Sequence, residues 1–234
     1  MIQYLPLVSA FVGAIVAQLL SHWYSLKREK RKEAKEIYQN FIYPNLTDVI
    51  LLHKTETDFR KGHDVENFVN RELLMENISA NIGYGDENLI TAILKYRSAN
   101  TFFDGQGHQK DAKTLNVLFW FLDYSIAILK KIKIDREELM EELKLSQKYY
   151  GIWCILTEIY GFEDAIQILS WSWIWSDDFL EELLLEELKI LMEQEKYKSY
   201  SRTVFIKALK RQYIETKTGE YKHIHEILDS YLNE

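Results

Sequence analysis

The chain has 234 residues, with 29 basic against 36 acidic side chains for a net charge of −7, two prolines, nine glycines and one cysteine. At 47% hydrophobic and 28% charged it is too apolar for intrinsic disorder, and it is too poor in turn residues for a sandwich of many short strands. Cys154 alone excludes a disulfide framework and a cysteine-ligated metal, and the net acidity argues against non-specific nucleic-acid binding as a main task.

Charge is distributed unevenly. Residues 1–26 contain no Asp, Glu, Lys or Arg, whereas residues 27–35 (KREKRKEAK) carry six basic and two acidic side chains. As a helix, Ile2–Leu26 is about 37 Å long, enough to cross a hydrocarbon core of about 30 Å with some tilt. Pro6 falls in the first turn, where its missing N–H costs least. Tyr4 at one end and Trp23 and Tyr24 at the other match the aromatic belts of a bilayer. A cleaved signal peptide places its basic residues before the apolar run; here they follow it. Residues 1–26 therefore read as an uncleaved transmembrane anchor in the cell membrane. The basic excess after the span implies an outside N-terminus, with residues 27–234 in the cytoplasm.

Lys27, Arg28, Lys30, Arg31, Lys32 and Lys35 are expected to set this topology and to lie against anionic headgroups. Within the span, Ser9, Gly13, Ala17 and Ser21 recur at every fourth position. A face of small residues lets two backbones approach closely, which makes this stripe the candidate surface for self-association.

Further along, helical periodicity continues throughout. Residues 27–43 read as a basic juxtamembrane helix, which Pro44 ends or restarts. Residues 44–234 read as one cytoplasmic helical domain, with no internal repeat or linker. Its first helices are expected over about 45–60 and about 64–80, with Asp64 as an N-cap. Asp86 is expected to cap a helix to about Phe103, and an apolar helix follows over about 111–131. Asp135 with Glu138 resembles a capping box for a helix to about Tyr160, with Gly161 in the left-handed position after it. A short helix over about 163–175 carries three tryptophans. Ser176 is expected to cap one helix bearing the stripe Leu180, Leu184, Leu188 and Leu191, with Glu182, Glu186 and Glu193 opposite. Ser201 is the expected cap of a helix to about Thr216, and a last helix covers about 220–232.

Several patterns bear on chemistry. Asn81–Asp86 (NIGYGD) resembles, over six residues, the carbonyl-lined selectivity filter of potassium channels. The flanking segments carry Arg71, Glu72, Glu76, Glu87, Lys95 and Arg97 instead of spans, so the segment reads as a glycine loop ending in an N-cap. Leu115–Leu129 is only 15 residues long and holds Asp123 at its centre, which favours a core helix over a second span. Trp171, Trp173 and Trp175 read as core, with an interfacial element as the rival. The six histidines form no metal or catalytic signature, and Glu220-x-x-His223 and His225 read as a solvated terminal helix. Cys154 reads as an inert buried thiol. The basic, aromatic region from Lys196 to Tyr213 is expected to pair with the acidic helix before it or to be simply solvated, with single-stranded nucleic acid as the less favoured partner.

These features point to an all-α chain: one N-terminal transmembrane helix followed by a cytoplasmic multi-helix bundle. The expected role is a membrane-anchored protein-interaction or scaffold module, self-associating and engaging a protein partner of unknown identity, with no cofactor. Two other classes fit the same architecture. One is a pore- or lesion-forming effector of the cell-suicide or phage-exclusion type. The other is a membrane-tethered enzyme with a dispersed active site, for which a pocket lined by His53, His63 or His108 with acids is the expected sign.

Overall fold

The computed structural model describes residues 5–65, 68–101, 107–193, 198–213 and 221–232; side chains of α1 are described from Gly13 onward. Its secondary structure is helical, with no strand among the described residues apart from a single bridge between Lys61 and Val65. The helices are α1 (Leu5–Ile37), α2 (Tyr43–Glu56), α3 (Arg71–Ala80), α4 (Glu87–Thr101), α5 (Gly107–Ile132), α6 (Glu137–Tyr160), α7 (Phe162–Ser170), α8 (Asp177–Glu182), α9 (Leu185–Glu193), α10 (Lys198–Arg211) and α11 (Lys222–Leu232).

Pro44 does not interrupt the chain. A proline lacks the N–H that would bond the carbonyl four residues back, and its ring crowds that carbonyl. The helix answers with a π turn over Tyr38–Ile42, in which the Tyr43 N–H donates to the Tyr38 carbonyl. The Asn45 side-chain amide donates to the Phe41 carbonyl at 2.7 Å, and α2 starts with Pro44 in its first turn. The helical path is thus continuous from Leu5 to Glu56.

The core is built on α5 and α6. The short connection between them folds α6 back along α5; α4 covers another side of α5, and α7 and α9 pack on α6. Phe119, Phe121, Tyr150 and Trp153 fill the centre. At Gly151 a Cβ would stand 3.0 Å from the Leu188 Cδ1 and 3.2 Å from the Phe119 ring, so the glycine lets α5, α6 and α9 meet closely. Long-range hydrogen bonds fix the register. Tyr150 donates to the Val49 carbonyl at 2.6 Å, Tyr213 donates to the Ile168 carbonyl at 2.6 Å, and the Trp175 indole donates to the Tyr213 hydroxyl at 3.0 Å.

Several local expectations fail. The second helix stops at Glu56 and the third starts at Arg71, with the described residues 57–65 and 68–70 outside any helix. Asn70, not Asp64, caps the third helix, its side chain accepting from the Leu73 N–H at 3.0 Å. No capping box forms at Asp135: α6 starts after Arg136 without a side-chain cap. Gly161 does take a positive φ of 90°, but with ψ 168° it is extended beyond the left-handed helical region, and it leads straight into α7.

The tryptophan segment leaves α-helix at Ser170 and continues as a 3₁₀ turn over Ser172–Ile174. Trp175 is buried and stacks on Tyr149, Trp171 is half-buried, and Trp173 is 62% exposed. The expected single helix after Ser176 is broken at Leu183–Leu184. The break turns Leu183 inward beside Leu188 and Leu191 and leaves Leu184 exposed, so the leucine stripe is not one face. The caps at Ser176 and Asp86 form as expected, each side chain accepting from the N–H three residues on. The last-but-one helix starts at Lys198, ahead of Ser201.

Candidate functional site: a basic groove at the foot of α1

Among the described residues, the helix long and apolar enough to cross a membrane by length and composition is Gln109–Ile132, and 78% of its apolar window is buried inside the protein. Asp123 at its middle accepts from the Gln147 amide at 3.0 Å and meets the Lys189 ammonium at 3.2 Å. A half-buried carboxylate with two protein partners, on a helix otherwise buried, fits a bundle.

Helix α1 behaves differently. Every residue from Gly13 to Glu33 is exposed except half-buried Ser25, and Ala34 is the first to be buried. Ile15, Val16, Leu19, Leu20, Trp23, Tyr24 and Leu26 are between 43% and 64% exposed on this projecting segment. Gly13, Ala17 and Ser21 are exposed on it as well, and a Cβ at Gly13 would touch nothing within 4 Å. The backbone of Ser9 lies on the same helix, and Tyr4 lies outside the described residues.

Where α1 reaches the bundle, it meets the C-terminal end of α5. That end closes without glycine: Lys133 takes a φ of 64°, its N–H donates to the Lys130 carbonyl, and the Ile134 N–H donates to the Leu129 carbonyl. The Arg31 guanidinium donates to the freed Ile132 carbonyl at 3.3 Å, tying the two helices together across 101 residues of sequence. Between them lies a groove of about 820 Å³. Its rim carries Lys27, Arg28, Lys30 and Arg31 from α1 and Lys131 and Lys133 from the end of α5. Its floor is Ala34, Ile37, Tyr124 and Ile128, and Glu33 is the acidic residue in the lining.

The arrangement follows from helical spacing. Lys27, Arg31 and Ala34 are separated by four and three residues and so share a face. Lys32 falls on the opposite side, and neither it nor Lys35 lines the groove, although both were expected to act with the others. None of the six rim cations forms an ion pair with a carboxylate among the described residues. Lys27 instead sits 5.1 Å from the centre of the Trp23 ring. Burial, with the charges of Asp86 and Glu33 nearby, pushes the Tyr124 phenol up to about 12, so it is a neutral hydroxyl at physiological pH.

Several cations facing the interior have partners. Arg71 pairs with Asp111 at 2.9 Å, Arg202 pairs with Glu158, and Lys210 pairs with Asp229. Among the described residues, Arg202 and Lys210 of α10 pair with α6 and α11 and not with the acidic helices before them.

Three histidines, His53, His223 and His225, hydrogen-bond within the fold. His53 is buried, lies 2.9 Å from the Ser146 hydroxyl and stacks on Tyr149; burial, with Lys54 adjacent, lowers it to about 3. His63 is exposed in the irregular segment, and the side chain of His108 lies outside the described residues. His223 and His225 bond Gln167 and the Tyr213 carbonyl, so α11 is a docked amphipathic helix instead of a solvated one, with Ile224, Ile227 and Leu228 buried. Glu220 lies outside the described residues. No three of His, Cys, Asp and Glu converge as a metal site among the described residues. Cys154 is fully buried, donates to the Ala112 carbonyl at 3.3 Å, and burial raises its thiol far above the usual range. Asn81–Asp86 is a 3₁₀ turn running into the Asp86 cap.

Comparison with protein-family models, with curated proteins and with solved structures gives no match.

Proposed function

We propose that this chain is a single-pass membrane-anchored helical interaction module, with the leading part of α1 in the bilayer and the bundle held at the cytoplasmic face. The observation that carries this reading is the apolar segment of α1, whose large side chains from Ile15 to Leu26 are 43–64% exposed, with Tyr24 at the edge of the groove against α5. A segment of that kind has no reason to persist in water, because every exposed leucine forgoes roughly 1.5–3 kcal/mol of burial. Lipid supplies the missing cover. The basic groove begins where the apolar run stops, which is the arrangement of a span that ends at a cytoplasmic interface.

Tethering concentrates a binding module at the membrane, so weak contacts suffice. Self-association runs through Ser9, Gly13, Ala17 and Ser21, where the absence of bulk lets two helices approach. Crosslinking of the full chain in its membrane tests this. The expected result is a dimer or higher band that weakens in Gly13→Leu; a monomer band in wild type, or an unchanged oligomer in the variant, overturns self-association through this face. Proximity labelling from the bundle tests the interaction role, and purified chain that turns over a metabolite while labelling no partner overturns it.

A further inference from the structure

We infer that the groove between α1 and the C-terminal end of α5 binds a phosphate group of high charge, a phosphomonoester of the kind an anionic phospholipid headgroup presents. The inference rests on the anchored reading for its lipid source.

The groove gathers six cations against one carboxylate, and none of the six has an acidic partner among the described residues. The inward-facing cations Arg71, Lys189 and Arg202 are each paired. A fold that brings Lys131 and Lys133 beside Lys27–Arg31 works against their mutual repulsion, which an anion in the groove would relieve. Lysines at a helix C-terminus are ordinary partners of the helix dipole. Here, however, Arg31 already serves the Ile132 carbonyl, and Lys131 and Lys133 line the groove.

Depth and chemistry agree on phosphate. Along α1, Lys27 to Arg31 lie about 5 to 11 Å beyond Tyr24. The headgroup layer outside the hydrocarbon is about 5–8 Å thick on each side. Two guanidiniums, Arg28 and Arg31, stand three residues apart; their planar forks suit phosphate oxygens, and the lysines add point charge. The neutral Tyr124 hydroxyl has no hydrogen-bond partner among the described residues and can donate to an ester or phosphate oxygen. Ile37 and Ile128 in the floor suit the apolar start of a lipid. With an excess of five positive charges, a dianionic monoester is held better than a singly charged diester.

The test uses the full chain in nanodiscs of phosphatidylcholine containing the same fraction of either phosphatidic acid or phosphatidylglycerol, with retained lipids counted by native mass spectrometry. Wild type is expected to retain phosphatidic acid over phosphatidylglycerol. The Lys131→Gln/Lys133→Gln variant should lose about tenfold of that retention. Both lysines are exposed and outside α1, so anchoring is unaffected, and carbonate extraction of the same samples checks it. A second arm offers pyrophosphate to the detergent-solubilised chain. Binding that the double variant loses supports the groove with a free-phosphate source. A chain released by carbonate removes the anchored reading and the lipid source, leaving this arm to judge the groove. Equal retention of the two anionic lipids by wild type, or retention and pyrophosphate binding unchanged in the double variant, overturns the proposal.

Discussion

Helices α1 and α5 are both long and apolar, yet they solve the problem of their side chains in opposite ways. Helix α5 is wrapped by α4 and α6, and its one central charge, Asp123, is held by Gln147 and Lys189. Helix α1 has no charged residue before Lys27, and its large apolar side chains from Ile15 to Leu26 are exposed. By length and composition α5 also passes as a span, but 78% of its apolar window is buried inside the protein. Coverage by neighbouring helices is what marks α5 as a helix whose solvent is protein. The charge pattern agrees: a satisfied aspartate inside a bundle is inexpensive, whereas lipid would penalise it by about 2.5–3.5 kcal/mol on insertion scales.

The contrast can be broken first by matched truncations. Leu122→Ala, at a fully buried position of α5, should cost about 2–5 kcal/mol of bundle stability. Leu19→Ala, 64% exposed on α1, should change it by less than about 0.5 kcal/mol. Denaturant unfolding of the full chain in mild detergent measures both, and equal losses would mean that α1 is packed like α5. Next, Val16→Arg should cost about 2.5–3.5 kcal/mol of membrane insertion and move chain from the carbonate-resistant pellet to the supernatant while leaving bundle stability unchanged.

Smaller effects sharpen the α5 side. Gly151→Leu forces a side chain against Leu188 and Phe119, and thermal unfolding should show a loss of about 1–3 kcal/mol. His53 gives a pH signature. Its folded value of about 3 lies below the 6.5 of the unfolded chain, so only the unfolded chain takes up a proton between them. Stability should therefore fall as pH drops below about 6.5, by about 1.4 kcal/mol per pH unit near pH 5, and level off near 3. His53→Gln should flatten the measured slope by that amount; an unchanged slope would show that the ring is accessible to protons.

Much of this architecture is legible in the sequence, because helical periodicity and local caps are properties of neighbouring residues. Ser176 and Asp86 act on the turn they start, and both were readable. The misreadings have tertiary causes. Asp135 and Glu138 carry the right spacing for a box, but Lys133 and Ile134 are already engaged in closing α5, and α6 begins without it. The stripe from Leu180 to Leu191 looks continuous, yet Leu183 gains more by turning into the core than by staying helical. Pro44 signals a break, whereas one π turn and the Asn45 amide absorb it.

The candidate site was half visible. Lys27 to Arg31 stand out as a charge cluster, but Lys131 and Lys133 look like the ordinary basic end of a helix. Nothing local shows that the two groups meet, since their juxtaposition is set by the packing of α1 on α5 about a hundred residues away. The separation of Lys32 and Lys35 from the other four also follows from which face of α1 the bundle engages.

The central claim, that lipid covers the leading part of α1, is tested most directly by the depth of a spin label at Leu19→Cys in the full chain reconstituted into vesicles. Cys154 is buried and its thiol stays protonated, so labelling is confined to the introduced site. Collisions with oxygen, which concentrates in hydrocarbon, should be frequent, and collisions with a water-soluble nickel complex should be rare. A label at Leu19 reached freely by the nickel complex would contradict the account.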